Sequence, residues 1–304
     1  MVTQPKWHLK ETVPILDRPR TLRELLEQQW LLPHRLVHYL RIRENVQLNG
    51  SYQPMNTLVT AGDRVDLWFM GDEFRTGESS YIVDSSRTVP VLFENEDLVV
   101  VNKPAGIKSH PNRSDETGTL MNFVAAYLAQ QDAQPYMVHR IDQETSGAVI
   151  VAKNPVVVPI LDRLISRHQI HRQYLAITSG FLTPAKGIIA LSIGRDVDDP
   201  RKRRVNGEAA QSARTHYQVV AQHDNMSLVA LQLETGRTHQ IRVHLAASGA
   251  PIVGDPLYND QIAERMLLHG AVLTLVVPFT QQKLVIKAPN PRYFEESIVK
   301  WHLK

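Results

Sequence analysis

One carboxylate stands out by its neighbours. In the segment HRIDQETSG at 139–147, Asp142 lies close to two cation-forming side chains, His139 and Arg140, and an apolar AVIVAK stretch follows. That pattern puts Asp142 in a loop entering a strand, with Thr145, Ser146 and Gly147 as turn residues that fix its backbone. A carboxylate beside a cation stays ionised and is able to act as nucleophile or base. A lone Asp in a polar loop is otherwise a turn residue. The second segment is LETGRTHQIRVH at 233–244. Thr235-Gly236-Arg237 reads as a tight turn whose glycine lets backbone approach a ligand. Gln240, Val243 and His244 follow a helical face, and Arg237 and Arg242 are available as anion ligands. An exposed basic helix would show the same pattern. His239 and His244 lack the HExxH spacing and a carboxylate partner, so no metal site is expected. The third segment, RQYLA at 172–176, begins a strand. Its Tyr174 is either a core aromatic or a platform for stacking a base. A basic run, Arg201, Lys202, Arg203 and Arg204, lies in an Asp/Pro/Gly loop. It reads either as a clamp on a nucleic-acid backbone or as a solvated charge run.

The elements that must position these residues fall into two units. In the first, residues 21–30 place Leu22, Leu25 and Leu26 at helical spacing behind a Thr21 N-cap, and 33–40 open a second helix with Pro33 in its first turn. VQLNG at 46–50 is a strand meeting an Asn-Gly hairpin turn, and 59–68 repeat the logic around Gly62-Asp63. The sequence predicts a small domain over 1–72, an irregular linker over 73–88 and a larger domain over 89–304. The larger one carries short β-branched runs at 89–93, 98–101, 148–151, 174–178, 227–233 and 271–277. Helices are expected at 119–130, 155–166 and 240–247. This alternation implies an α+β fold on a mixed, largely antiparallel sheet.

Composition narrows the chemistry. The chain has 304 residues, 43% hydrophobic, and its 34 Lys+Arg against 31 Asp+Glu give a formal charge of +3. A sizeable core is available, and an anionic partner is compatible but not required. With no cysteine, disulfides, thiolate metal sites and a cysteine nucleophile are excluded. No P-loop or GxGxxG is present, so no cofactor is expected. No run approaches about 18 apolar residues, and the amino terminus shows no apolar signal region, so a soluble cytoplasmic protein without a membrane partner is expected.

Taken together, the three segments resemble the RluA-type pseudouridine synthases. The first is similar to that family's HRLDxxTSG signature with Ile141 in place of Leu, the second to its TGRTHQIRVH signature, and the third to its (R/K)xYxA strand. NKPAG at 102–106, GDPLY at 254–258 and LLHGA at 267–271 are similar to its remaining motifs, Gly270 being inserted in the last. Residues 21–69 resemble an S4-type RNA-binding domain, whose basic surface would comprise Arg35, His38, Arg41, Arg43 and Asn49. The resemblance implies an isomerase converting uridine in RNA to its C-glycoside, with RNA as partner, no cofactor and no metal. It implies Asp142 as the catalytic carboxylate, Arg237 as its salt-bridge partner, and Tyr174 as the aromatic stacked on the base and a candidate for removing the C5 proton. Arg140 would fill the space the flipped base vacates, His139 would order the loop or contact substrate, and Gln240 and Arg242 would face RNA. Large-subunit ribosomal RNA is the expected target, with transfer RNA as the alternative, and the chain is expected to be a monomer. A glycoside hydrolase would need a second carboxylate across the sugar, and Glu144 is too close in sequence to serve. A silent RNA-binding assembly factor would be favoured only if Asp142, Tyr174 or Arg237 were missing.

Overall fold

A computed structural model describes residues 4–261 and 263–304. The Asn49-Gly50 signal forms as expected. Both residues have positive φ, 53° and 87°, and they join strands Val46–Leu48 and Ser51–Tyr52. Val46–Leu48 also pairs with Arg64–Phe69, and Trp7–Thr12 adds on the far side of that strand as an antiparallel edge. The periodicity of that edge strand is weak because only Leu9 is buried. Thr21 caps its helix with a reciprocal Thr21–Glu24 box. The helix is not regular α throughout. After Leu22–Glu24 it widens to a π-turn over Leu25–Gln29, where Trp30 N–H reaches the Leu25 carbonyl at 2.8 Å. The second helix is His34–Ile42, with Pro33 at its N-cap. Its Leu36, Val37 and Leu40 are buried, so this face belongs to the core.

The large unit is built on a ten-stranded mixed sheet. Its path runs Lys186–Ile189, Thr215–His223, Met226–Leu233, His171–Ser179, Leu268–Val276, Ser146–Ala152, Leu98–Lys103 and Val91–Glu94. Every adjacent pair is antiparallel except Ser146–Ala152 with Leu268–Val276, which run parallel. Helices Leu120–Ala129 and Gln240–Ala247 pack on one face, and Val157–Ser166 with the small unit on the other. Arg292–Lys300 covers a further cluster around Phe294. A three-stranded sheet, Arg203–Val205, Ile193–Arg195 and Glu208–Gln211, stands at the mouth of the site.

The segment 73–88 has no regular element, but it is tied down. Glu73 accepts the Met70 and Gly71 N–H groups, Asp84 accepts Gly118 N–H, and Asn122 donates to the Ile82 carbonyl. The apolar core does not divide where the composition does. Trp30 meets Phe279 edge-on at 5.3 Å, and Arg163 donates to the carbonyls of Leu31 and Leu32. One continuous buried cluster joins both units.

Candidate active site

Asp142 sits between Tyr136–Met137 and Ser146–Ala152. Its loop is held from below. Ser109 Oγ donates to the Ile141 carbonyl at 2.6 Å and accepts Ile141 N–H, and Gly106 N–H donates to the Gln143 carbonyl. Lys103 has no exposed surface, and its Nζ donates to the carbonyls of Pro104, Ile107 and Gln143. Burial pulls its pKa down to about 7, with Glu144 and Asp142 opposing. Beyond Asp142, Gly147 has φ +124°, and a Cβ there would lie 2.4 Å from the Gly270 carbonyl oxygen. The close parallel pairing of these strands therefore demands glycine at 147. A Cβ at Gly270 would in turn meet Tyr174 Cε1 at 3.4 Å, an ordinary contact.

The salt-bridge partner of Asp142 is Arg242, not Arg237. Arg242 Nη1 donates to Asp142 Oδ2 at 3.2 Å, while its Nε and Nη2 grip Asp255 at 2.7 and 2.8 Å. The Arg242 side chain is 4% exposed, that of Asp255 0% and that of Asp142 20%, so a buried cation is shared by one buried and one accessible carboxylate. Burial opposes the charge on Arg242, but Asp255 and Asp142 outweigh it and raise its pKa. Arg237 precedes the Gln240–Ala247 helix, and its Nε is spent on the Ser212 carbonyl at 3.1 Å. It still lines the pocket, but without an ion pair to Asp142 among the described residues.

Four other expectations change. Gln240 does not face RNA. It is buried, its Oε1 accepts from Thr235 Oγ and Arg237 N–H, and its Nε2 donates to the Arg214 carbonyl and Thr215 Oγ. It pins the turn. His139 is likewise buried. Its Nε2 accepts Ile150 N–H, and burial, reinforced by Arg172, drops its pKa to about 3. It is a neutral wall residue rather than an RNA-facing cation. Arg43 is gripped by Asp72 at 2.8 Å twice and lies 3.5 Å from Glu73, while Asn49 bonds Asp63 and Arg64 N–H. Both hold the small domain together.

Arg35 packs over Tyr39, and Arg140 is exposed with Nη1 3.2 Å from His110 Nε2. Arg201 is clasped by Asp199, Arg203 bonds the carbonyls of Pro200 and Lys202, and Arg204 lies 3.5 Å from Asp198. Arg41 and Lys202 have no side-chain partner among the described residues.

Two residues that the motifs did not single out complete the scaffold. Asp255 orients Arg242 and accepts the Leu257 and Tyr258 N–H groups. The Tyr258 hydroxyl accepts Arg203 N–H and donates to His239 Nδ1, and burial lowers the pKa of His239. The GDPLY motif was the available signal for both.

These groups surround a cavity of about 220 Å³ walled by Asp142, Tyr174, Arg172, Arg237, Arg242 and Leu268. A wider chamber of about 490 Å³ adjoins it past Arg140, His110 and Arg201, with Asp142 on both walls. Tyr174 is 6% exposed, and burial raises its pKa, Arg172 opposing and Asp142 adding. One carboxylate, one buried cation and one aromatic thus share a pocket of nucleobase size, with a polar chamber beside it.

Comparison with known proteins agrees. A family model described as RNA pseudouridylate synthase matches residues 97–247, and one described as the RluD ribosomal pseudouridine synthase N-terminal domain matches 9–65. A Bacillus subtilis protein named uncharacterized RNA pseudouridine synthase YhcT is 39% identical over 82% of this chain and 82% of its own. The chain belongs to the RNA pseudouridine synthase family. Ribosomal large subunit pseudouridine synthase D of Nitrosomonas europaea is 36% identical over 66% of this synthase and 62% of its own length. The solved structure of human RNA pseudouridylate synthase domain containing 4 superposes with a TM-score of 0.60 at 26% identity, covering 71% of this chain and 94% of that one. The synthase is an isomerase acting on RNA, with the α+β fold expected from its sequence. Among the described residues no helix is long and apolar enough to cross a membrane.

Proposed function

We propose that this synthase isomerises specific uridines of large-subunit ribosomal RNA, with Asp142 as its catalytic carboxylate. The observation that carries the chemistry is the Asp142–Arg242–Asp255 arrangement on the cavity wall, which leaves one carboxylate accessible and oriented. The reaction breaks the N1–C1′ bond, turns the uracil and joins C5 to C1′, with the C5 proton lost and N1 protonated. Asp142 either attacks C1′ or removes the 2′ proton. Both routes need it charged and aimed, which the guanidinium fork provides. Tyr174 supplies a stacking face. Burial favours its neutral phenol, so a resting phenolate base is costly there. The target nucleotide leaves its stack at a cost of a few kcal/mol. Arg140, which lines both cavities, would occupy the gap.

Ribosomal RNA as target is supported by the amino-terminal match to the ribosomal-synthase domain model and by the large-subunit relatives. The small domain, residues 1–72, would present Arg35 and Arg41 to that RNA, and the Arg201–Arg204 loop would flank the site. Mapping pseudouridine across total RNA from a strain lacking the protein tests this. Loss at discrete large-subunit positions is expected, and loss confined to transfer RNA would overturn the choice of target.

A further inference from the structure

Arg172 stands apart from every other arginine at the site. Its Nε is buried without a hydrogen-bond partner, and its guanidinium takes part in no ion pair or side-chain hydrogen bond among the described residues. Buried polar groups are nearly always satisfied, so an orphan on a pocket wall calls for a ligand. It precedes Tyr174 by two positions on the His171–Ser179 strand, which puts both on the same face. Both line the 220 Å³ cavity. The guanidinium lies against the Thr235–Arg237 turn, where a Cβ on Gly236 would come 3.8 Å from Nη2. Leu233 and Leu268 form apolar wall nearby, whereas the polar chamber suited to flanking phosphates opens on the other side of Asp142.

We infer that Arg172 is a catalytic residue that donates hydrogen bonds to the uracil carbonyls and stabilises the base as it leaves C1′. The inference rests on the reading of this cavity as the uridine site. When the N1–C1′ bond breaks, its electron pair passes to N1 and spreads onto O2 and O4. This holds whether Asp142 bonds C1′ or takes the 2′ proton. The departing uracil is therefore an anion, and a fixed guanidinium facing its edge is worth more in that state than against the neutral base. Arg172 gives up no proton. N1 is protonated from solvent after C5 has bonded C1′ and its own proton has left.

The test uses the full chain and RNA from the strain lacking the protein, with Arg172→Met and Arg172→Lys. Single-turnover conversion by Arg172→Met should fall on the order of 100-fold, with RNA affinity within about two-fold of wild type. Arg172→Lys should recover about ten-fold of that loss, because charge persists without the planar fork. With 5-fluorouridine at the target, fluorine itself stabilises the departing base, so the Arg172→Met deficit in consumption of the starting nucleoside should shrink. An equal deficit on both bases would overturn the leaving-group role. So would a fall in RNA affinity that accounts for the rate loss and comes with a shallower salt dependence, the mark of a phosphate contact. An unimpaired Arg172→Met beside an active wild type refutes this step alone. A wild type that converts no uridine refutes the reading beneath it, and this step with it.

Discussion

Arg242→Lys perturbs the proposed site most informatively. The guanidinium makes three charge-assisted bonds at once, at 2.7 and 2.8 Å to Asp255 and 3.2 Å to Asp142. Lysine keeps the charge but loses the planar fork. Its ammonium is able to satisfy Asp255 or to reach Asp142, not to hold both in register. Asp255 has a side chain of 0% exposure, so poor pairing there is expensive. Breaking a buried pair outright costs about 3–5 kcal/mol, and with charge retained the lower end, about 3 kcal/mol, applies. At about 2–4 °C per kcal/mol for a chain of this size, melting should drop by roughly 6–12 °C. Catalysis should suffer separately, since a misplacement of about 1 Å costs on the order of 100-fold. The C5 hydrogen is lost once per turnover, so tritium release from RNA labelled at uridine C5 measures the rate on folded enzyme. A Lys variant within about three-fold of the wild-type rate, with unchanged melting, would refute the shared-fork account.

Further outcomes follow from the same geometry. Gly147→Ala should disrupt folding around the loop, because its Cβ would sit 2.4 Å from the Gly270 carbonyl, whereas Gly270→Ala, at 3.4 Å from Tyr174, should fold and shift only kinetics; circular dichroism and single-turnover rates separate them. Trp30→Ala removes a fully buried ring stacked edge-on against Phe279 and should cost about 3–5 kcal/mol, read by denaturant unfolding. Deleting residues 1–70 should accordingly leave an aggregation-prone core, not a soluble one, which gel filtration will show. Glu11 is held up to about 8 by burial, then by Asp97 and Glu96, so the fold favours its neutral form. Its contribution to stability is full below about pH 4.5 and is lost as pH rises through about 8. Glu11→Gln should therefore flatten the pH dependence of melting and raise the melting temperature most near pH 8.

Much of the site was legible because its parts lie in contiguous motifs. The Asp142 loop, the Tyr174 strand and the 240–247 helix all form where spacing placed them. The choice between Arg237 and Arg242 was not legible, since both sit in one segment. It depends on Asp255, which selects the arginine inside the helix, and on Asp142, a hundred positions away. Gln240 and His139 are polar yet buried, and only their partners reveal that they brace the backbone. Asp72 likewise ties up the Arg43 guanidinium at the surface. The docking of the small unit was hidden for a related reason. Trp30, Leu31 and Phe279 are ordinary core residues in sequence, and nothing local says that they meet.

The central claim is tested most directly by incubating purified wild type and Asp142→Asn with ribosomal and transfer RNA from a strain lacking the protein and quantifying pseudouridine at each position. The wild type should restore discrete large-subunit sites while the Asn variant binds the same RNA and restores none. Conversion by the Asn variant, or by neither protein, would contradict the account.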